Sequence, residues 1–382
     1  MRAPERRESF TACPGVADGW DAVADGGGLL SSRRWLEATE RRYPWPVLTF
    51  LLGRGGRPSV GMYGTLVDDV EAYEPYNPHR ILAGPTDVFE FEEPTAQARS
   101  DLAEHLPAAE RWFPALVLTY PGYGCYPVGP GAASPELVGR CLDGVLGWAA
   151  GEGVNAVALT FVAEEEAALG AALAAHDHLW VPLERRADVD LSGVASLDEH
   201  VARLPAMFRH EARREMRVLR RAGVESRRLE PRRHRGDLVE LRCALLAQRG
   251  HRPDPALEAR RLDAILDAFG DDVRLFGCFQ DGELVRCGSF LVHGSEWVAF
   301  WTGGRYDHPA AALTYFEAVF YRPIAEAVRE GVSSICYGMG SAEAKRRRGA
   351  RLTPVGAAIL PVAPELRRWL AGCGGPLVRR AR

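Results

Sequence analysis

A mixed α/β fold, built from two tandem copies of one unit, is predicted by three features of the chain. At 382 residues it exceeds what one hydrophobic core usually supports, roughly 250–300 residues. Strand-like and helix-like patterns alternate along its whole length. And WAAGEGVNAVALTF returns later as EAVREGVSSICYG, each an amphipathic helix, a Glu-Gly-Val turn at Glu152 or Glu330, and a buried strand. The predicted division is 1–195 and 196–382, with the joint in the polar stretch Ala187 to Ser196.

The elements follow in order. SSRRWLEATERR offers Ser31 or Ser32 as N-cap before apolar Trp35 and Leu36, so it reads as a helix. WPVLTFLLG and the stretch from Val60 to Val67 read as strands, parted by a Gly/Pro-rich turn from Gly53 to Pro58. FPALVLTY is an apolar strand, and PGYGCYPVGPG after it is a shaped loop. CLDGVLGWAAGEGV is a glycine-stopped helix, NAVALTFV a buried strand, and Glu164 to Ala175 a further helix. In the second half LVELRCALLAQRG is a helix ending at Gly250, and residues 273–304 hold three strands with Asp-Gly and His-Gly turns. TYFEAVFYRPIAEAVREGV is a long helix in which Pro323 predicts a kink. SSICYGMG is a short strand running into a glycine loop.

Composition narrows the class. With 47% hydrophobic and 26% charged residues, a folded globular chain is expected and disorder is excluded for most of it. No window approaches the roughly 18 apolar residues of a membrane span. MRAPERRESF has no apolar segment behind its charges, which predicts no secretory signal. The eight cysteines lack CxxC spacing, which argues against a disulfide framework and a zinc ribbon. The expected setting is cytoplasmic. A net charge of −4 excludes a generic polyanion binder. Of the 47 basic residues, Lys345 is the single lysine, a bias that fits a GC-rich bacterial genome.

Two segments stand out. SLDEHVARLPAMFRHEARREMRVLRRAGVESRR predicts a helix capped by Ser196, with Glu199 as capping-box partner and a restart at Pro205. Arg209, Arg213, Arg217 and Arg220 share one face, and Phe208, Ala212, Met216 and Leu219 form an apolar stripe. This is either a solvated face balanced by Glu211 and Glu215, or a surface for phosphates. The second segment runs from Tyr337 to Ala350, with Gly338, Gly340 and four adjacent cations from Lys345. It is either a basic turn or a loop that lets a ligand approach the backbone. It is neither a Walker loop nor a Rossmann fingerprint. His176 and His178 beside Asp177 lack a third ligand at metal spacing, so no metal is expected. No nucleophile motif is present.

These segments resemble the FemAB-like family of the GNAT acyltransferase superfamily, over roughly Gly28 to Pro361. SSRRWLEATE resembles the family's opening Trp-Leu-Glu helix, and the basic helix ending in Ala-Gly-Val resembles its Arg/Lys helix. Glu317 and Tyr321 fall at the places of its Phe-Glu and Tyr-Tyr helix. Glu343, Lys345, Arg348 and Gly349 fit its Glu-x-Lys-x-x-Arg-Gly pattern, with Ala344 where histidine is usual.

The resemblance implies two GNAT-like lobes around a shared cleft, each a twisted mixed sheet flanked by helices. It implies acyl transfer to a small-molecule or peptide amine, in cell-wall or natural-product biosynthesis. The donor is aminoacyl-tRNA, as in the related Fem transferases, or acyl-CoA; no tightly bound cofactor, DNA partner or membrane span is expected. A non-catalytic module that recognises a peptidoglycan precursor is the alternative. Lys345, Glu343, Glu317 and Tyr321 are the expected catalytic residues. Arg348, Gly349, Gly338, Gly340, Arg213, Arg217 and Arg220 are the expected donor-binding residues. On this reading Lys345 and Arg348 hold donor phosphate, and Lys345→Arg keeps the fold but loses transfer.

Overall fold

The computed structural model describes residues 8–40, 44–84, 86, 88–307 and 311–381. The opening MRAPERR and the last two residues of SSRRWLEATERR lie outside them. The described residues form two compact units. One comprises residues 1–185 and 353–382, the other 186–352. The boundary therefore differs from the expected 195/196, because the end of the chain returns to the first unit.

The first unit opens with an antiparallel meander of β1 (Glu8–Pro14), β2 (Val47–Arg54), β3 (Arg57–Val67) and β4 (Ala115–Leu118). The helix Pro135–Gly151 then carries the chain to β5 (Ala156–Ala163), which lies parallel to β4. The second unit repeats this plan with β7 (Glu225–Leu229), β8 (Val273–Gln280), β9 (Glu283–His293) and β10 (Glu296–Gly304). A helical crossover again leads to a parallel strand, β11 (Ser334–Gly338). The repeat read around Glu152 and Glu330 is thus this parallel strand–helix–strand unit.

What the sequence pattern did not show is where each copy finds its sixth strand. β6 (His178–Asp190) follows β5 in the chain, and β12 (Arg351–Pro361) follows β11. Yet β12 pairs antiparallel with β5, between it and β6, while the end of β6 pairs antiparallel with β11. A short β13 (Val378–Arg379) pairs with the start of β6.

Among the described residues the strands belong to a single thirteen-stranded sheet, which corrects the separate sheet in each lobe that the resemblance implied, and the strands of each unit are covered by that unit's own helices. In the first unit Val138, Cys141, Leu142 and Val145, one face of the helix Pro135–Gly151, join Phe50, Leu116, Val157 and Leu159. In the second, Phe208, Ala212 and Leu219 of the basic helix (Ala206–Arg221) join Phe276, Phe290, Trp297 and Phe320. Ser32, not Ser31, caps the first predicted helix by accepting from the Trp35 amide. Ser196 caps Leu197–Arg203, while the Glu199 carboxylate accepts from the Ala195 amide.

The kink predicted at Pro323 takes the form of one π turn, Glu317–Tyr321, between the helices Ala311–Phe316 and Arg322–Arg329. Proline has no N–H for the preceding turn. The ladder widens before it, and the Arg322 amide donates to the Glu317 carbonyl, five residues back. That turn presents Phe320, fully buried, to Tyr337 at the mouth of the glycine loop, with ring centroids 4.6 Å apart and planes 23° apart. Phe320→Ala should therefore lower stability by about 3–5 kcal/mol, read from urea unfolding, because no neighbour can fill the void.

Candidate functional site

The loop after β11 is shaped by positive backbone angles at Gly338 (φ 63°), Gly340 (φ 75°) and Ser341 (φ 50°). Glycine reaches this region without strain, which explains the two glycines. A Cβ at either would meet nothing within 4 Å, so the space over the loop is open. Behind the loop lies Lys345, on the short helix Ala342–Arg346 and only 5% exposed. Its Nζ donates to the carbonyls of Tyr337 (2.8 Å), Gly338 (3.1 Å) and Met339 (2.7 Å). An ammonium has three N–H bonds, which match these three oxygens in number.

This geometry corrects the expected contact of Lys345 with donor phosphate. The lysine clamps the loop from within. Its effect on the open side is indirect. In a trans peptide the C=O and N–H point in opposite directions, so drawing the 338 and 339 carbonyls inward turns the Met339 and Gly340 amides outward. Neither amide has a partner among the described residues. Two adjacent outward N–H groups suit an anion or a developing oxyanion.

Arg348 is also turned inward, at 3% exposure. It donates to Glu215 (2.5 Å) and the Ala344 carbonyl (3.2 Å), and lies 3.5 Å from the centre of the Phe316 ring. Glu215 in turn accepts from the Tyr321 hydroxyl. Burial, and then the Glu215 carboxylate, push the Tyr321 phenol well above its ordinary range, so it stays protonated as a donor. The Arg348 carbonyl meets His200 Nε2 at 2.9 Å. Gly349 (φ 94°) passes so close that a Cβ there would lie 2.9 Å from the His200 ring. Arg348 and Gly349 therefore hold the loop to the helices before it, and the expected donor contact at Arg348 is corrected in the same sense as that of Lys345.

Glu343 faces solvent. It accepts from Arg346 (2.8 Å) and Arg347 (2.9 Å), which hold its carboxyl down from an ordinary 4.5 to about 2. Such a group is a poor proton acceptor near neutral pH. Glu317 differs: burial raises its carboxyl, and it accepts from Ser226 Oγ on β7. The structure thus joins Lys345, Arg348, Tyr321 and the glycine loop, and gives Glu317 a separate partner. The Arg347 to Ala350 amides all donate to carbonyls of this same segment, so they form no pyrophosphate cradle.

The pattern reading missed Glu211 and Glu215 as inward groups. Glu211 faces Arg347 and Arg348, each at 3.4 Å. Glu215 was legible: Phe208, Ala212, Glu215 and Leu219, spaced 4, 3 and 4 apart, are the buried stripe, and Met216 is only half-buried. With both carboxylates turned inward, Arg213, Arg214, Arg217, Arg220 and Arg221 line the exposed face. Among the described residues none of the five has an acidic partner. A solvated face balanced by Glu211 and Glu215 is therefore not what forms.

A family model described as FemAB-like, peptidoglycan biosynthesis/recognition, matches residues 111–371. No curated protein matches the chain. Among solved structures it is similar to FemX, at 12% identity and a TM-score of 0.59, over 90% of this chain and 94% of that one. At that identity the likeness is one of fold. A weaker likeness is to a tandem GNAT protein from the clavulanic acid biosynthesis pathway (14% identity, 93% of this chain, 99% of that one, TM-score 0.49). Another is to the C-terminal domain of a putative lysylphosphatidylglycerol synthetase from Agrobacterium fabrum (16%, 64%, 77%, 0.47).

Two outcomes test the geometry. Lys345→Met leaves three carbonyls without their donor and should cost about 3–5 kcal/mol of stability. Lys345→Arg should also destabilise, by about 1–3 kcal/mol, because a planar guanidinium cannot meet three converging oxygens. Urea unfolding checks both, and a Lys345→Arg variant as stable as the parent would remove the clamp. The second outcome concerns Glu343. Because its folded value is depressed, its contribution is present above pH 4.5 and fades as pH falls toward 2. Parent and Glu343→Gln should therefore converge in stability across that window.

Proposed function

The chain belongs to the FemAB-like family of peptidoglycan biosynthesis or recognition, and from that membership we propose that it is an N-acyltransferase moving an aminoacyl group from aminoacyl-tRNA to an amine acceptor. The observation that carries the choice of donor is the arginine face of the basic helix. Its carboxylates are committed to Arg347, Arg348 and Tyr321, so the face keeps its full positive charge. From Arg213 to Arg221 it extends roughly 12 Å at 1.5 Å per residue, long enough to meet more than one backbone phosphate. Exposed arginine forks without competing carboxylates suit phosphate oxygens. The inward amides from Arg347 to Ala350 weigh against a coenzyme A pyrophosphate at that segment.

The chemistry needs a neutral amine, a held carbonyl and support for the oxyanion. On this reading the amine nitrogen attacks the ester carbonyl of the aminoacyl group. The Met339 and Gly340 amides receive the developing negative charge. The carbon–oxygen bond to the ribose then breaks, an amide forms, and the ribose oxygen takes up a proton. Glu317, whose affinity for a proton burial already raises, is the carboxylate suited to take up the proton that the amine loses at the end of a relay, since Ser226 holds it at β7, four strands from β11. Tyr321 and Glu215 position the helix beside the loop. Lys345 acts through the loop it clamps and not on the substrate.

Incubating the purified protein with aminoacyl-tRNA or acyl-CoA, each with a pool of amine acceptors, tests the reading. Transfer from the tRNA alone is expected. Transfer from acyl-CoA alone, or saturable binding of a peptidoglycan precursor without turnover, would replace it. Arg213, Arg217 and Arg220 changed together to Gln should weaken tRNA binding. The slope of log affinity against log salt should become shallower by about 2–3, since each phosphate left unneutralised accounts for about 0.7–0.9. Thermal unfolding should hardly change, since all three side chains face solvent.

One variant and one pH profile test the role of Glu317. Glu317→Gln should lower kcat by about 10²–10⁴-fold with little change in tRNA affinity, as loss of a general base does. In the parent, kcat should fall as pH drops through a value above 4.5, because the raised carboxyl must be ionised to accept the proton. A Glu317→Gln variant with parental kcat would remove that role.

A further inference from the structure

The first unit holds a cleft of about 660 Å³ that the proposed transfer does not use. It lies between the end of β5, the helix Ala167–Leu173, the start of β6 and β13. A volume in the range of roughly 300–1,000 Å³ is that of small-ligand sites. Its floor is apolar, with Val162, Leu173 and Ala174. Besides Glu166, and Arg380 which is paired with Asp177, four polar groups line it in an order. Glu164, exposed, stands at one side and has no ion-pair partner among the described residues. His178 and Trp180 follow on β6, and Arg379 is paired in register with His178 on β13.

His178 is the telling residue. It is 6% exposed and lines the cleft. Its Nδ1 lies 2.9 Å from the His176 carbonyl, an oxygen that can only accept, so Nδ1 carries the proton. Burial depresses its basicity, which keeps the ring neutral and leaves Nε2 a lone-pair acceptor. Trp180 lies so close over Gly356 that a Cβ there would stand 2.3 Å from its ring, and this contact fixes the indole as a wall of the cleft. A carboxylate, a neutral imidazole acceptor and an indole face together match an ammonium group. Next to them, the Arg379 guanidinium bonds the Pro376 carbonyl (2.6 Å) and the Val378 carbonyl (3.3 Å) through Nη1 alone. Its Nε and Nη2 suit a carboxylate.

We infer that this cleft binds a small zwitterion, an amino acid or short peptide, with its ammonium at Glu164, His178 and Trp180 and its carboxylate at Arg379. Free amino acids and peptides share this chemistry and differ in the distance between the two charged ends.

Titration calorimetry on the purified full chain, with no acyl donor present, tests the site independently of transfer. The probes are alanine, dialanine and trialanine, with N-acetylated and C-amidated forms of whichever binds. At least one should bind saturably at one site per chain, and the length that binds best reports the spacing of the ends. Capping either end should weaken binding at least about tenfold. Glu164→Gln should abolish the effect of acetylation, and Arg379→Gln that of amidation. Both side chains are exposed, so the variants should melt as the parent does. No saturable binding below about 10 mM, or binding indifferent to both caps, would overturn the inference. So would variants that discriminate between the caps as the parent does.

Discussion

One ammonium organises the second unit. Lys345 draws three successive carbonyls of the glycine loop onto a single buried charge. The positive backbone angles at Gly338 and Gly340 are what allow the chain to turn that way. The outward amides of Met339 and Gly340 follow from the same constraint, because a planar peptide cannot turn its oxygen inward and keep its N–H there too. The residue also explains its own identity in a chain whose other cations are arginines. Three donors on one compact nitrogen match three converging oxygens, and a flat fork does not.

Around that clamp a second buried charge is arranged. Arg348 meets Glu215, Glu215 accepts from Tyr321, and the ring of Phe316 lies beneath the guanidinium. Buried ion pairs are weak as sources of net stability, since desolvation offsets most of the attraction. Their effect here is to join the loop, the π turn and the basic helix at fixed points. The same arrangement has an electrostatic consequence on the far side of the helix. Because Glu211 and Glu215 answer to buried or half-buried arginines, the solvent-facing arginines keep their charge. A net charge of −4 over the whole molecule therefore coexists with a concentrated positive face.

The topology shows why the chain does not divide at one point. Each copy of the unit consists of an antiparallel meander and a parallel crossover, yet the strand that lies beside the crossover's last strand in the one continuous sheet is not the next one along. β12 lies between β5 and β6, and the last residues of β6 pair with β11. Residues 353–382 thereby become part of the first unit. Strands β5, β11 and β12 are largely apolar and β6 alternates buried apolar with charged residues, so hydrophobicity alone does not dictate the partners.

The sequence by itself determined many of the elements, though its patterns did not mark β1, β12 or the helix Pro255–Phe269. The helix from Cys141 onward, though not its start at Pro135, the helix at 206–221, strands from 273 to 304, and the Ser196 cap follow from period, capping chemistry and turn residues, all of which act within a few positions of the chain. It also marked the glycine loop and Lys345 as unusual. Only the tertiary structure decided which way those residues face. Whether an arginine meets solvent, as Arg217 does, or a buried carboxylate, as Arg348 does, depends on a partner more than a hundred residues away in sequence. The same holds for Lys345, whose role reversed from phosphate contact to loop clamp. Local pattern records spacing along one element, whereas the direction of a charged side chain is set by the free energy of burying it, and that depends on what the rest of the fold brings within reach.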